Sequence, residues 1–173
     1  MPRPIRAVFD AAAFRGNLAL ARARAPRARV WQAWTEAEHL THWWGPKGFV
    51  VAHCTVDLRP GGLMHYCMRA PDGPEMWGRF LFREIVEPEK LVWVNSFSDE
   101  KGGISRHPMS PDWPREMLST VELEDLGQKT RVTVTWLPIN ASEDERRIFD
   151  EGRASMNQGW SGTFEKLEHF LAL

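Results

Sequence analysis

The stretch LTHWWGPKGF, Leu40 to Phe49, sets two adjacent tryptophans directly before a Gly-Pro break and then returns to an apolar run. The residues before it repeat with helical spacing, and those after it alternate like a strand. Aromatic surface is costly to leave in water, so a chain reversal this rich in indole must lie against other apolar groups. We therefore expect this turn to join the helical layer of the fold to a sheet.

The chain before the turn predicts one strand and two short helices. Leucines alternate with small side chains from Asn17 to Arg24, which is typical of a strand. Pro26 suits the start of a helix, and the apolar residues of 30–34 recur at helical spacing. A second short helical turn follows through residues 36–42.

The chain after the turn predicts six more strands. Their connections are short, which favours antiparallel hairpins, except for one long loop over residues 98–116. A loop of that length inside a compact domain is usually functional or disordered. The six apolar runs are FVVAHCTVDL, LMHYCMRA, EMWGRFLFREIV, LVWVNSF, MLSTVELE and KTRVTVTWL.

The C-terminal segment, residues 142–171, predicts one long helix. Ser142 followed three residues later by Glu145 forms a capping box, and the apolar residues beyond it mark one face at helical spacing. We expect that face to pack on the sheet. Each internal glycine costs about 1 kcal/mol relative to alanine and so indicates close backbone approach or empty space. These glycines are Gly152, Gly159 and Gly162.

The predicted architecture is an α+β domain in which a curved antiparallel sheet wraps a C-terminal helix. A sheet curved in this way can leave a cavity between itself and the helix, with loops at the mouth. The WWGP turn then lies at that mouth, where its indoles can meet both the sheet and the contents of the cavity.

Four motifs, in this order along the chain, are VWQAWTEAEHLTHWWGPKGF, DLRPGG, REIVEPEKLVW and GWSGTFEKLEHFL. Together they resemble the SRPBCC or START-like superfamily, specifically bacterial proteins similar to the C-terminal domain of the heat-shock-protein-90 ATPase activator. The resemblance runs from about Leu18 to Leu171. It implies the helix-grip fold, with about seven strands around the long helix. It leaves function open, because the superfamily includes lipid and hormone binders, cyclases and oxygenase subunits.

Alternation along the strands predicts which side chains face the cavity, since residues two apart share a face. Tyr66, Asn95 and Ser119 are the polar members of otherwise apolar rows and could orient a ligand, or could be satisfied core groups. The tryptophans could clamp a flat ligand or complete the core, and the methionines could form an adaptable wall. The predicted ligand-binding residues are Trp34, Trp43, Trp44, Met64, Tyr66, Met68, Trp93, Asn95, Phe97, Ser119, Val121, Val134, Trp136, Met156 and Trp160.

Catalytic and metal-binding patterns are weak. His39 and His42, and likewise His65 and Cys67, could each supply two metal ligands, but neither pair has further ligands at recognisable spacing. GWSG at 159–162 lies inside the predicted helix and lacks the strand-turn-helix context of a nucleophile elbow. We therefore predict no metal, no cofactor and no catalytic residue.

Composition bounds the partners. A chain of 173 residues with 43% hydrophobic residues suits one domain, 1–173, with residues 1–15 as an N-terminal extension. A net charge of -1 lacks the basic excess that nucleic-acid binding needs, and no stretch is long enough to span a bilayer. Cys54 and Cys67 lack C-x-x-C spacing and no signal peptide precedes them, so we expect reduced thiols in a cytoplasmic protein.

Three functions remain open. The first is binding of a small apolar or aromatic ligand, gated by the WWGP turn and the long loop. The second is interaction with a protein partner, as the resemblance to a chaperone activator implies. The third is an enzyme of cyclase or hydrolase type, for which only a few titratable groups are available: His53, His65, His107 and Glu84.

Overall fold

The computed structural model describes residues 16–173 and contains one seven-stranded antiparallel sheet with four helices. The predicted α+β helix-grip fold is confirmed, including the strand that precedes the two short helices. In chain order the elements are β1 (Asn17–Ala23), α1 (Arg27–Thr35), α2 (Ala37–Trp43), β2 (Val50–Val56), β3 (Leu63–Arg69), β4 (Glu75–Val86), β5 (Lys90–Ser98), β6 (Glu116–Asp125), β7 (Thr130–Ile139), α3 (Glu143–Glu151) and α4 (Arg153–Leu171).

The strand order is β1-β7-β6-β5-β4-β3-β2, so strands β2 to β7 form a meander and the first strand pairs with the last. The register shifts between Val51 and His53 and again between Phe82 and Glu84. An extra residue on one strand increases local twist and bends the sheet. These two irregularities help the sheet to curve around the helices.

The core lies between the concave face of the sheet and helices α1, α2 and α4. Val121, Val132 and Val134 from the sheet are fully buried there, as are Trp43 and Leu167 from the helices. The alternation that the sequence shows along β6 and β7 places these valines inward. Apolar burial at about 25 cal/mol per Å² makes this the main source of stability.

The C-terminal helix differs from the prediction in one respect, because it is interrupted at Gly152. A side chain at Gly152 would lie 3.0 Å from the ring of Trp113, which packs against the junction from the long loop. The capping box is present as predicted: Ser142 Oγ accepts from the Glu145 N–H at 3.2 Å, and the Glu145 carboxylate accepts from the Ser142 N–H at 2.8 Å.

The long loop, residues 99–115 in the structure, is folded back on the domain. The Asp99 carboxylate accepts from the N–H groups of Gly103 and Lys101, and these bonds lower the pKa of Asp99. Farther along, Arg106 binds the Glu145 carboxylate at 3.0 Å and so ties the loop to the start of α3. The loop therefore covers one end of the space between sheet and helix.

No helix within residues 16–173 is both long enough and apolar enough to cross a membrane. The predicted N-terminal extension, residues 1–15, lies outside the described residues.

Candidate ligand-binding cavity

A cavity of about 470 Å³ lies between the sheet, helix α4 and the long loop. Its floor comes from strands β3 to β7, its roof from α3 and α4, and its rim from the loop and the WWGP turn. A volume of this size is in the range that holds a small organic molecule.

The floor is made of neighbouring rows of cross-strand partners. At its outer end Met68 pairs with Met76, and both line the cavity. One row farther in, Tyr66 is followed by Gly78 and Phe97. The next row runs from Phe80 through Asn95 to Met117, and its members also line the cavity. In the row after that only Trp136 lines the cavity, while Trp93 and Ser119 lie beneath core side chains. The cavity thus occupies one end of the concave face.

The Tyr66 ring packs over Gly78, its cross-strand partner, and lines the cavity. A Cβ at Gly78 would overlap the Tyr66 phenol, so the glycine gives the ring its place on the sheet. Burial raises the pKa of the Tyr66 hydroxyl, an effect that the Trp44 indole opposes only in part. The hydroxyl is therefore neutral at physiological pH and can donate or accept one hydrogen bond.

Asn95 is the polar residue in the middle of the floor. Ser119, which is fully buried behind it, donates a hydrogen bond from its hydroxyl to Asn95 Oδ1. This bond orients the Asn95 amide and leaves its nitrogen without a partner among residues 16–173. Ser119 acts on the cavity only through Asn95.

Four tryptophans meet at the inner end of the cavity, and only two of them line it. Trp44 and Trp160 lie on the wall with ring centroids 5.9 Å apart. Trp34 stacks behind Trp160 at 6.3 Å and touches Trp43 edge-on at 4.8 Å. The Trp43 indole N–H donates to the Ala33 carbonyl at 2.9 Å, which fixes it in the core.

Eight predicted ligand-binding residues line the cavity: Trp44, Tyr66, Met68, Asn95, Phe97, Trp136, Met156 and Trp160. Seven lie in the core and not on the wall: Trp34, Trp43, Met64, Trp93, Ser119, Val121 and Val134. The physical reason is that strand alternation identifies the inward face but not the depth. The deeper half of that face is filled by the side chains of α1 and α2.

Further wall residues were missed by the sequence reasoning. Met76, Phe80 and Met117 belong to the same inward alternation, so a full application of strand parity would have found them. The loop residues carry no periodic signal, because only the folded loop brings them over the floor. These are His107, Ser110, Trp113, Pro114 and Arg115.

Lys166 fixes the WWGP turn to helix α4. Its ammonium group donates to the carbonyls of Trp44, Gly45 and Phe49 at 3.1, 3.2 and 3.0 Å. Burial lowers the pKa of Lys166, while three carbonyl acceptors favour its charged form. Gly45 has φ +92°, a left-handed conformation that glycine adopts without strain, and this lets the turn reverse the chain.

His107 is the one candidate titratable group that lines the cavity. Its ring packs on Phe97 at 4.4 Å, and its Nδ1 accepts from the Met109 N–H at 3.1 Å. Burial lowers the pKa of His107, so the ring is neutral at physiological pH with its proton on Nε2.

The other candidate titratable groups lie elsewhere. His65 stacks on Trp77 at 4.9 Å on the outer face of the sheet, where His53 joins them. Glu84 pairs with Lys90 at 3.0 Å. Residues 16–173 contain no group of three or more side chains placed to hold a metal ion. Cys54 is a free thiol whose pKa burial raises to about 11.

An antiparallel sheet that grips a C-terminal helix over an apolar cavity defines the helix-grip class of domains. Within that class, the family model for "Activator of Hsp90 ATPase homolog 1-like protein" matches residues 24–172, and the chain belongs to this family. A comparison with curated proteins gave no match.

Solved bacterial structures share the fold. A protein from Nitrosomonas europaea is 25% identical, with a TM-score of 0.71 over 91% of this chain and 94% of its own. A protein from Arthrobacter aurescens is 28% identical, with a TM-score of 0.71 over 88% and 83% of the two chains. The AHSA1 protein from Silicibacter pomeroyi is 16% identical, with a TM-score of 0.70 over 91% and 97%.

Proposed function

We propose that this protein binds a small, largely apolar ligand in the cavity between its sheet and helix α4. The observation that carries the proposal is the cavity itself, about 470 Å³ of space between the sheet and helix α4. Apolar side chains form most of the cavity wall, and a ligand that fills the cavity would remove their surface from water.

The chemistry of the wall supports an apolar ligand of adaptable shape. Indole rings of Trp44, Trp136 and Trp160 offer flat apolar surface, and four methionines offer flexible, polarizable surface. Asn95 and Tyr66 supply the few polar groups that would orient the ligand. The four methionines are Met68, Met76, Met117 and Met156.

The rim has one fixed side and one side that could open. Three hydrogen bonds from Lys166 hold the WWGP turn, so we assign the turn to the fixed wall. The loop is tied to α3 through the ion pair of Arg106 with Glu145, whose side chains are 43% and 15% exposed. Arg106 is partly exposed, so solvent screens its attraction for the Glu145 carboxylate and this contact holds the loop only moderately. We therefore assign ligand entry to the loop side.

A thermal-shift screen of apolar and aromatic compounds tests the proposal, because a ligand that binds only the folded state raises the melting temperature. The diagnostic variant is Gly159→Leu. A Cβ at Gly159 meets no atom within 4 Å, so leucine would project into the cavity. Gln158→Leu on the exposed face of the same helix is the control.

We expect compounds that stabilise the wild type and Gln158→Leu to have no effect on Gly159→Leu. Stabilisation that is equal in all three proteins would place binding outside the cavity and contradict the proposal.

A protein partner is the second candidate function. Met109 and Ile104 on the long loop are 78% and 47% exposed, which is unusual for large apolar side chains beside a cavity rim. The family description, activator of the Hsp90 ATPase, names a chaperone as the partner class to try. Size-exclusion chromatography with an Hsp90-type chaperone tests it: a complex that survives salt and is lost in Met109→Ser would favour this function.

A further inference from the structure

The rim of the cavity carries one positive charge. Arg115 lies between the long loop and β6 and forms part of the cavity wall. Arg115 directly precedes the first residue of β6 and is exposed to solvent, so it lines the cavity at its open rim and not on the buried floor.

Arg115 has no acidic partner. Within residues 16–173 it makes no hydrogen bond or ion pair, although Asp112 and Glu116 are close in sequence. Glu116 instead accepts a hydrogen bond from Asn140 at 3.1 Å, and the neighbouring Arg106 is paired with Glu145. An arginine at the edge of a concave apolar site is thus left with its five N–H donors free for a ligand.

The described residues of the cavity wall contain no aspartate and no glutamate. Lys166, the lysine of helix α4, already donates to three backbone carbonyls and does not line the cavity. Arg115 is thus the single charged side chain among the described residues of the cavity wall. The neutral ring of His107, with its proton on Nε2, adds a further donor at the same rim.

We infer that the ligand is an amphipathic monoanion: a carboxylate held by Arg115 at the rim, with an apolar body inside the cavity. The planar guanidinium matches a carboxylate with two parallel hydrogen bonds, whereas a doubly charged phosphate would call for a second cation. The cavity is roughly three times the volume of the ~150 Å³ cavity that binds benzene. The body therefore has the bulk of two or three fused rings. This inference rests on the proposed function and specifies its ligand.

The test uses matched pairs of an aromatic acid and its uncharged amide in order of size: benzoic, 2-naphthoic and anthracene-2-carboxylic acids. Affinities are measured by calorimetry for the wild type, Arg115→Gln, Arg115→Lys and Gly159→Leu. The control is Arg83→Gln, since Arg83 is an exposed arginine that lies off the wall and is also unpaired within residues 16–173.

We expect the best-fitting acid to bind the wild type and Arg83→Gln about tenfold more tightly than its amide. Arg115→Gln should erase this preference while leaving amide affinity unchanged, and Arg115→Lys should restore part of it. Added sodium chloride should weaken acid binding and leave amide binding unaffected.

Two results would overturn the inference in distinguishable ways. If acid and amide bind equally, and both are lost only in Gly159→Leu, the anionic head is wrong and the apolar cavity stands. If no acid binds the wild type while the thermal-shift screen still finds uncharged stabilisers that Gly159→Leu does not bind, the inference fails and the proposed function stands.

Discussion

Tryptophans are prominent in both halves of the space between the sheet and the helices, but one half is packed core and the other is a cavity. In the deep half, Trp34 packs against both Trp43 and Trp93, and none of these three rings lines the cavity. In the rim half, Trp44, Trp136 and Trp160 surround open volume. Tryptophan content alone therefore does not distinguish a core from a binding site.

The difference lies in what covers each half. Helices α1 and α2 press Trp34 and Trp43 into the deep half, and the turn after α2 is anchored by Lys166. The rim half is covered by the irregular loop 99–115 and by a helix with a glycine at its wall position, Gly159. A regular amphipathic helix fills the space beneath it, whereas a loop and a glycine leave it open.

The largest expected effect is a contrast between Trp43→Ala and Trp136→Ala. Trp43 is fully buried and hydrogen-bonded, so its truncation should lower the free energy of unfolding by about 3–5 kcal/mol. Trp136 is only half-buried beside existing open volume, so its truncation should cost less than half as much. Urea denaturation of both variants measures the difference, and equal losses would mean that the two halves are packed alike.

A second contrast compares two glycines of α4. A Cβ at Gly162 would lie 3.2 and 3.3 Å from atoms of Lys47 in the WWGP turn, so Gly162→Ala should destabilise by about 1–3 kcal/mol. At Gly159 the Cβ meets open space, so Gly159→Ala should stabilise by up to about 1 kcal/mol through helix propensity. Thermal unfolding measures the stability change of each variant. Destabilisation by Gly159→Ala would refute the assignment of Gly159 to open space.

The capping box lies at the start of α3, where Arg106 of the long loop also binds Glu145. Ser142→Ala should lower the free energy of unfolding by about 1 kcal/mol at neutral pH. The Ser142 N–H, and then Arg106, lower the pKa of Glu145, so its contribution is present above the ordinary glutamate value and is lost as pH falls through the lowered pKa. Denaturation curves at several pH values should therefore show Glu145→Gln and wild type converging in acid. A constant difference at all pH values would exclude this linkage.

The smallest expected effect concerns His107 at the rim. Burial lowers its pKa, so the unfolded chain takes up the proton first, and stability should fall slightly as pH drops through the ordinary histidine value. His107→Gln should remove that part of the slope in denaturation curves measured at several pH values. If His107→Gln keeps the wild-type slope, the packing of His107 on Phe97 is looser than 4.4 Å implies.

Most of the fold was predictable from sequence because it depends on local periodic signals. The capping box at Ser142, the helix start after Pro26 and the seven strands each follow from residues close together in the chain. The break at Gly152 was not predictable, because its partner Trp113 comes from a loop far away in sequence.

The sequence predicted which face of the sheet lines the site, but not how far along the strands the cavity extends. Alternation placed Tyr66, Asn95 and Trp136 on the inward face, and they line the cavity. It placed Val121 and Val134 on the same face, but these lie beneath the helical tryptophans. Depth along the strand depends on tertiary packing, which no local pattern encodes. The rim residues His107 and Arg115 depend on the path of the loop in the same way.

Native mass spectrometry of the freshly purified protein, beside its denatured spectrum, would show directly whether the rim half holds a ligand. Wild type, Gly159→Leu and Gln158→Leu should be purified in parallel. We predict a small molecule that is bound to the wild type and to Gln158→Leu, released on denaturation and absent from Gly159→Leu. Retention of the same molecule by Gly159→Leu would show that it binds outside the cavity.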